Sequence, residues 1–449
     1  MLVVPTGNGA VLLKSDAFMW NKELECIPRK ELERLQVERL RQTISRLAQH
    51  VPRYRALWDE LTLDADSIKS VADLEQFPFT TKSDLRDHYP VGLVAVAESD
   101  IKRIHASSGT RGKPTIAPYT QADLDLWSDL CARALATAGV RPGDRVQNSY
   151  GYGLFTGGLG LHYGAERLGA TVIPASSGRT QQQIMLLQDF APRALCCTPS
   201  YALNIATTLG DMAVKKETLG LEIGILGAEP WTEACRERIE SGLNIKAYDI
   251  YGLSEVLGPG VAIECTEQNG LHIWEDHFIV EVVDPKTMRP LPSGQPGQLV
   301  ITTLTKQALP LIRYCTGDIC CLIDEPCACG RTMRRISRIQ GRLDDMLIIR
   351  GVNVYPSEIE AILFSLPELS AHYQILISRE QALDKLHIRV ERNEQPAADP
   401  LTNSALEQRL NGLIQDRLGL TASVEIVAQQ TLQRSEGKSV RILDLRARE

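Results

Sequence analysis

The chain has 449 residues, of which 43% are hydrophobic and 23% are charged, and its formal net charge is −7. This length exceeds what one hydrophobic core usually holds, so we expect at least two domains. The acidic balance argues against a nucleic-acid-binding protein, which needs a basic surface. No apolar run approaches the roughly 20 residues of a membrane-spanning helix, and the first residues lack the order of a signal peptide. Eleven cysteines without the spacing of a small disulfide-rich domain indicate reduced thiols, so we expect a cytoplasmic protein.

The first predicted element in chain order is helical. Residues 17–62 carry large apolar side chains at the spacing of one buried helix face: Leu32, Leu35, Leu40, Ile44, Leu47 and Val51. Residues 123–250 then alternate short apolar runs with amphipathic stretches, which predicts a parallel sheet with helices on its faces. The predicted strands there are 145–150, 170–174, 194–198, 221–227 and 246–250.

The second half of the chain changes from this alternation to strands and turns. Strands are predicted at 272–274, 278–283, 298–303 and 312–319. After residue 345 a smaller α+β unit is predicted, with strands at 346–349, 373–377, 387–390 and 424–427 and helices near 357–365 and 403–417. We therefore expect an α/β fold with a large N-terminal domain (1–340) of mixed parallel sheets, helices and a β-rich subregion. A hinge (341–345) and a small mobile C-terminal α+β domain (346–449) follow.

Two segments carry residues suited to binding a nucleoside triphosphate. The sequence HASSGTRGKPT begins at His105 and combines glycines, hydroxyls and a lysine, which favours phosphate binding, although a surface turn is the alternative. It does not have the spacing of a phosphotransferase P-loop, because only Thr110 and Arg111 separate Gly109 from Gly112. The sequence YGLSE follows a predicted strand and ends at Glu255, which is suited either to Mg²⁺ or to capping a helix.

Three further segments lie closer to the C-terminus. RYCTGD ends at Asp318, which is suited to ribose hydroxyls or to capping its own turn. GRLDD and GVNVYPSEIE stand at the predicted hinge, and RSEGK ends at Lys438, which alone reads as a surface lysine. Each segment alone is a weak signal, but the five segments in this order and at this spacing are a strong one.

Together the segments resemble the adenylate-forming superfamily of acyl-CoA synthetases, adenylation domains and luciferases, and most closely the phenylacetate–CoA ligase family. The likeness extends over nearly the whole chain and is carried most specifically by NSYGYGLFTGGLGLHYGAERLGATVIP, YGLSEVLGPGV and GRLDDMLIIRGVNVYPSEIE. The resemblance implies an ATP-dependent acid–thiol ligase. A carboxylate attacks the α-phosphorus of ATP to give acyl-AMP and pyrophosphate, and a thiol, usually coenzyme A, then displaces AMP.

The resemblance also implies a role for each matching residue. Lys438 would bridge the carboxylate and the α-phosphate, Glu255 would hold Mg²⁺, and Asp344 would be the hinge about which the C-terminal domain rotates. The nucleotide would be held by Ser107, Ser108, Gly109, Thr110, Gly112, Lys113, Ala228, Glu229, Pro230, Tyr251, Asp318 and Arg342. Two positions depart from the family pattern: Arg111 replaces a threonine and Cys315 replaces an arginine. These departures change the charge of the predicted phosphate segment and of the strand that leads to Asp318.

The acid is predicted to bind beside an aromatic segment. Tyr150, Gly151, Tyr152 and Phe155 combine ring edges with glycine clearance, which suits a flat aryl or arylacetic acid, although core packing is the common alternative.

Three sulfurs and one imidazole form a permitted structural zinc set, from Cys265, His272, Cys327 and Cys329. Inert buried thiols are the alternative, and Cys320 and Cys321 compete as ligands. The basic run Arg331, Arg334, Arg335, Arg338 and Arg342 is interpreted as a solvated strand face.

The expected cofactors are ATP, Mg²⁺ and coenzyme A, with structural Zn²⁺ as a further hypothesis. The expected partners are a small-molecule carboxylic acid and coenzyme A or an acyl carrier protein, without nucleic acid or membrane, and we allow for a homodimer. Two rival functions stay open: an aryl-acid adenylating enzyme that loads a carrier-protein pantetheine or an amine, and a non-catalytic nucleotide-binding protein on the same scaffold.

Overall fold

The computed structural model describes residues 3–6, 9–12, 18–107, 114–350, 352–380, 383–393, 402–434 and 441–446. The predicted N-terminal helical stretch forms Lys22–Glu25, Arg29–His50 and Pro52–Leu61 rather than one continuous helix. It breaks because Pro28 precedes the long helix and because Val51, the residue before Pro52, is extended. Most of the predicted apolar face is buried, but Leu35 is only half-buried and Gln36 takes its place in the core.

A mixed sheet forms the centre of the N-terminal region. Its parallel part is confirmed, with strand ends shifted by up to two residues from the prediction. In spatial order the parallel strands are Thr171–Ile173, Arg145–Asn148, Ala194–Cys197, Ile223–Gly227 and Lys246–Tyr251. The sheet continues with the antiparallel strands Ala262–Glu264, Leu271–Ile273, Arg335–Ile336 and Leu322–Ile323.

Helices join and cover these parallel strands, as the alternating pattern requires. They are Gln121–Thr137, Gly157–Leu168, Thr180–Phe190, Pro199–Asp211 and Glu233–Leu243. The helix Lys82–Asp87 and the hairpin Ile101–Ala106 with Ile116–Thr120 lie earlier in the chain. The strands Val3–Thr6 and Gly9–Leu12 pair with each other.

The predicted β-rich subregion is an antiparallel sheet. Its order is Phe278–Val283, Gly297–Thr303, Tyr314–Cys320 and Gly341–Arg342. The last pairing places Arg342 opposite Asp318, so this sheet brings the predicted hinge to the predicted ribose ligand.

The C-terminal region has the predicted α+β composition. After the hairpin Leu347–Ile349 with Val352–Val354, the helix Pro356–Phe364 leads into a sheet that the helix Asn403–Leu418 packs against. The sheet order is Ala422–Val427, Leu383–Arg392, Leu369–Glu380 and Ile442–Asp444. Its two central strands extend well beyond their predicted apolar cores. The domain boundary at 341–345 stays a prediction.

One buried apolar cluster spans both regions. It combines side chains from the helices Thr180–Phe190, Pro199–Asp211 and Glu233–Leu243 with side chains from the C-terminal sheet and its helices. Across the part of the chain that the structure describes, we find no helix with the length and apolar character needed to span a bilayer.

Candidate active site

Neighbouring parallel strands deliver the predicted nucleotide residues to one edge of the sheet. Ile223–Gly227 ends directly before Ala228, Glu229 and Pro230, and Lys246–Tyr251 ends at Tyr251. These two strands pair in parallel, so their carboxyl ends lie side by side. The cleft at this edge is also lined by Asp318, Gly341, Arg342, Glu360 and Arg441.

The Asp318 carboxylate is the polar centre of this cleft. The Tyr251 hydroxyl donates to Asp318 Oδ2 at 2.6 Å, and Arg342 Nε lies 3.1 Å from Asp318 Oδ1. Burial and the adjacent carboxylate raise the pKa of Tyr251 well above its usual value, so the hydroxyl stays a donor. Asp318 lines the cleft, and its role as the ribose ligand stays a prediction.

The Glu255 backbone is held from two sides. Lys306 Nζ donates to the Glu255 carbonyl oxygen at 2.8 Å, and the Tyr119 hydroxyl donates to the Ser254 carbonyl oxygen at 2.8 Å. Lys306 also lies 4.6 Å from the Tyr119 ring centroid, and burial lowers the pKa of its ammonium to about 8. Tyr119 lies on the strand that follows the predicted phosphate segment. This arrangement therefore links that segment to the predicted metal ligand.

The predicted phosphate segment is described only at its edges. Ser107 donates its backbone N–H to the Thr115 carbonyl at 2.9 Å and continues the hairpin pairing of Ala106 with Ile116. Ser108, Gly109, Thr110, Gly112 and Lys113 lie outside the described residues, as does Lys438. Asp344 lies in the turn Leu343–Asp345, and its side chain is also outside the description.

The predicted acid-binding aromatics occupy different environments. Tyr150 is buried, and its hydroxyl has no hydrogen-bond partner among the described residues. Tyr152 accepts from Asn148 Nδ2 at 2.9 Å, whereas Phe155 is 42% exposed. Gly151 lies against the next helix, where a Cβ on Gly158 would stand 2.5 Å from the Gly151 carbonyl oxygen. The role of these residues in acid binding stays a prediction.

The aromatic segment 150–155 contacts the start of the predicted phosphate segment. The Ala106 N–H donates to the Leu154 carbonyl at 3.0 Å, and His105 Nδ1 lies at the same distance from that oxygen. The two predicted half-sites for acid and phosphate therefore share a direct backbone contact.

The four predicted zinc ligands meet at one point. Their donor atoms all lie within 4.8 Å of one another, and all four residues are buried. Cys265 Sγ is 3.6 Å from Cys327 Sγ, and Cys329 Sγ is 3.3 Å from His272 Nε2. Two sulfurs at about 2.3 Å from a tetrahedral zinc would be about 3.8 Å apart, so the cluster fits the ion. Cys320 and Cys321, the competing thiols, are not part of it.

The interpretation of the basic run as a solvated face is wrong. Arg331 and Arg335 are buried, and the run is tied into the fold by pairs that the linear sequence cannot show. These pairs are Arg331 with Glu25, Arg334 with Glu275, Arg335 with the carbonyls of Asn269 and Glu325, Arg338 with Glu233, and Arg342 with Asp318.

Three charged residues around the site, Glu360, Arg441 and Lys306, were not predicted from the sequence. Glu360 accepts from the Tyr373 hydroxyl at 2.7 Å and pairs with Arg441. Glu360 and Arg441 both line the cleft. Arg441 lies three residues after Lys438, and this closeness in sequence could have indicated a place near the site. Lys306 is a single lysine without a local sequence pattern. Cys315, the departure from the family pattern, lies near Arg313, Glu281 and Asp84 rather than at the Asp318 cluster.

Two family models match the chain. The model described as AMP-binding enzyme matches residues 38–305, and the model described as AMP-binding enzyme C-terminal domain matches residues 351–446. The chain is also 51% identical to the phenylacetate-coenzyme A ligase of Thermus thermophilus, over 95% of this chain and 100% of the relative. It is 49% identical to the phenylacetate-coenzyme A ligase of Escherichia coli, over 93% and 95% of the two chains.

Among solved structures, the chain is similar to 2-hydroxyisobutyryl-CoA ligase in two states. The structure in the postadenylation state, in complex with 2-HIB-AMP, matches with a TM-score of 0.89 at 32% identity over 96% of this chain and 94% of the other. The structure in the thioesterification state, with 2-HIB-AMP and CoA, matches with a TM-score of 0.72 at 33% identity over 97% and 94%. The chain belongs to the phenylacetate–coenzyme A ligase family of AMP-binding enzymes.

Proposed function

We propose that the protein activates an aryl or arylacetic acid as its acyl-AMP and transfers the acyl group to coenzyme A. Its family makes it an ATP-dependent, AMP-forming acid–coenzyme A ligase. The observation that carries the proposal within this chain is the cleft in which Tyr251 and Arg342 hold the Asp318 carboxylate beside Ala228, Glu229 and Pro230.

The proposed reaction needs alignment and charge neutralisation rather than a protein nucleophile. A carboxylate oxygen of the acid attacks the α-phosphorus, and the bond to the β-phosphate oxygen breaks to release pyrophosphate. The coenzyme A thiolate then attacks the acyl carbonyl, and AMP leaves with the former carboxylate oxygen. Lys438, Arg342 and the segment containing Ser107, Ser108, Gly109, Thr110, Gly112 and Lys113 would supply positive charge and N–H donors to the phosphates.

We place Mg²⁺ at Glu255. Magnesium takes few protein oxygens and keeps water and phosphate as its other ligands. Glu255 is buried two residues after the cleft-lining Leu253, and no hydrogen bond among the described residues uses its carboxylate. Lys306 acts here as a positioning residue, because it donates to the Glu255 carbonyl and does not line the cleft.

Lys306→Met should raise the Mg²⁺ concentration needed for half-maximal ATP–pyrophosphate exchange by roughly tenfold, the value of one charge-assisted hydrogen bond. Tyr119→Phe, which removes only the bond to Ser254, should shift it in the same direction by less. Lys286→Met, an exposed lysine, is the control. An unchanged Mg²⁺ dependence in folded Lys306→Met and Tyr119→Phe enzymes would contradict the assignment.

We also propose a structural zinc bound by Cys265, His272, Cys327 and Cys329. All four positions carry protein ligands, so a tetrahedral ion would have no open position for substrate. The adjacent Arg331 donates to Glu25 Oε2 at 2.6 Å, so the site would join the N-terminal helices to the sheet.

Protein purified without added zinc should contain about one zinc per chain. Cys327→Ser should lose the metal and lower the midpoint of thermal unfolding, whereas Cys321→Ser should change neither. Metal analysis by mass spectrometry, together with unfolding curves, provides the measurement. Metal-free wild-type protein of normal stability would refute the zinc site and support inert thiols.

The two half-reactions are proposed to use two domain arrangements. We assign residues 1–340 to acid and nucleotide binding, 341–345 to a hinge at Asp344, and 346–449 to a mobile domain that carries Lys438. The two family models divide the chain in a compatible way. The better match of this structure to the postadenylation state of its relative supports assigning the present arrangement to the first half-reaction.

The acceptor has two alternatives to free coenzyme A: the pantetheine of a carrier protein, or an amine. Free coenzyme A is favoured because coenzyme A ligases of this family match nearly the whole chain. We keep the cytoplasm as the predicted compartment, because all eleven cysteines are free thiols. A homodimer stays a prediction from the sequence.

Acid-dependent ATP–pyrophosphate exchange, measured with phenylacetate, benzoate, anthranilate and hydroxylated analogues, tests the proposed function. We expect exchange with an aryl or arylacetic acid and a loss of roughly 100-fold or more in Lys438→Ala, because that lysine would neutralise charge at the reacting phosphate. Coenzyme A and a holo-carrier protein should then be compared as acceptors. ATP binding without exchange for any acid would favour the non-catalytic rival.

A further inference from the structure

Arg238 joins the two regions of the chain by an unusual contact. It lies on the helix Glu233–Leu243 of the N-terminal region, and its guanidinium points at the end of the helix Pro356–Phe364 of the C-terminal region. Its Nη2 donates to the carbonyls of Phe364 and Leu366, each at 3.1 Å, and its Nη1 donates to the carbonyl of Leu369 at 2.9 Å. The guanidinium carbon also lies 4.6 Å from the Phe364 ring centroid.

The contact with the Phe364 carbonyl suits the chemistry of a helix C-terminus, and the Leu366 and Leu369 carbonyls belong to the connection and the strand that follow the helix. The last carbonyls of a helix have no partner within it and carry the negative end of the helix dipole, so a cation stabilises them. Here that cation comes from the other region, some 126 residues earlier in the chain. Two other hydrogen bonds near this helix involve residues before 341: Thr232 donates to Glu360 at 3.3 Å, and Ser357 donates to the Gln340 carbonyl at 2.7 Å.

The helix that Arg238 holds leads directly to the active-site cleft. It carries Glu360, whose carboxylate accepts from Tyr373 and pairs with Arg441. Arg441 lines the cleft beside Glu229 and Asp318 and follows Lys438 by three residues. When the end of this helix is held, Glu360 and its partner Arg441 are held with it. Arg441 directly precedes the strand Ile442–Asp444 and lies close in sequence to Lys438.

We propose that Arg238 is a positioning residue that docks the C-terminal region in the adenylate-forming arrangement and releases it for thioester formation. The inference rests on the proposed two-step function. Because the contact joins the two regions, a rotation about 341–345 must break it. The contact therefore favours the first half-reaction and makes no contribution to the second.

The two half-reactions should respond differently to Arg238→Met, which keeps an apolar stem against Phe364 but removes every donor. In the full-length enzyme, acid-dependent ATP–pyrophosphate exchange should fall about tenfold or more, which corresponds to about 1.4 kcal/mol. Thioester formation from chemically prepared acyl-AMP and coenzyme A should stay within about twofold of wild type or rise. Arg238→Lys should restore part of the exchange rate, since it retains a cation, and Glu237→Ala, an exposed neighbour on the same helix, is the control.

Equal losses in both half-reactions, or no loss in either, would overturn the inference. Hydrogen exchange of Pro356–Phe364 without substrate separates this result from a failure of the proposed function, because it needs no turnover. The Arg238→Met protein should exchange these amides faster than wild type and Glu237→Ala. Unchanged protection would overturn the docking role even if no acid supports activity.

Discussion

The Asp318 carboxylate is the point at which the parts of this fold are held together. It lies on a strand of the antiparallel sheet, receives the Tyr251 hydroxyl from the end of the parallel sheet, and pairs with Arg342 at the start of the predicted hinge. A buried carboxylate that lost these partners would carry a large desolvation cost. The partners that stabilise this charge come from both sheets and from the predicted hinge, so the Asp318 carboxylate holds these parts together around one cleft.

This constraint explains why the functional residues come from distant parts of the chain. Parallel strands place Ala228–Pro230 and Tyr251 together because their carboxyl ends share one edge. The antiparallel sheet contributes Asp318 and Arg342 as a cross-strand pair. The C-terminal region then closes the cleft with Arg441, which its own sheet and Glu360 hold in place. Residues from three separate segments of the chain therefore line one cleft.

Strands were predicted most accurately where both faces of the strand are buried. The strands Ala194–Cys197 and Ile223–Gly227 were predicted within two residues because every residue in them is buried and the run is apolar throughout. The strands Leu369–Glu380 and Leu383–Arg392 were predicted too short, because polar side chains on one face interrupt the apolar signal. The Cys and His set was brought together as predicted, because Cys265 and His272 flank adjacent antiparallel strands.

Contacts between distant residues that belong to no motif were not predictable. The arginine run from Arg331 to Arg342 was misinterpreted, because each buried member is paired with a group from another segment. Lys306 and Arg238 are single cations without a local pattern, and their partners are backbone carbonyls, which no side-chain motif reveals. Sequence motifs predicted the residues proposed to bind the nucleotide, whereas the structure was needed to find the side chains that hold the backbone of neighbouring segments in place.

Oxygen transfer tests the central claim, acyl-adenylate formation, most directly. Phenylacetate labelled with oxygen-18 in both carboxylate positions, or the acid that supports exchange best, should be converted with ATP and coenzyme A and the products analysed by mass spectrometry. Attack of the carboxylate on the α-phosphorus predicts one labelled oxygen in AMP and one in the thioester carbonyl. Unlabelled AMP formed together with thioester, or label in pyrophosphate, would contradict the acyl-adenylate route.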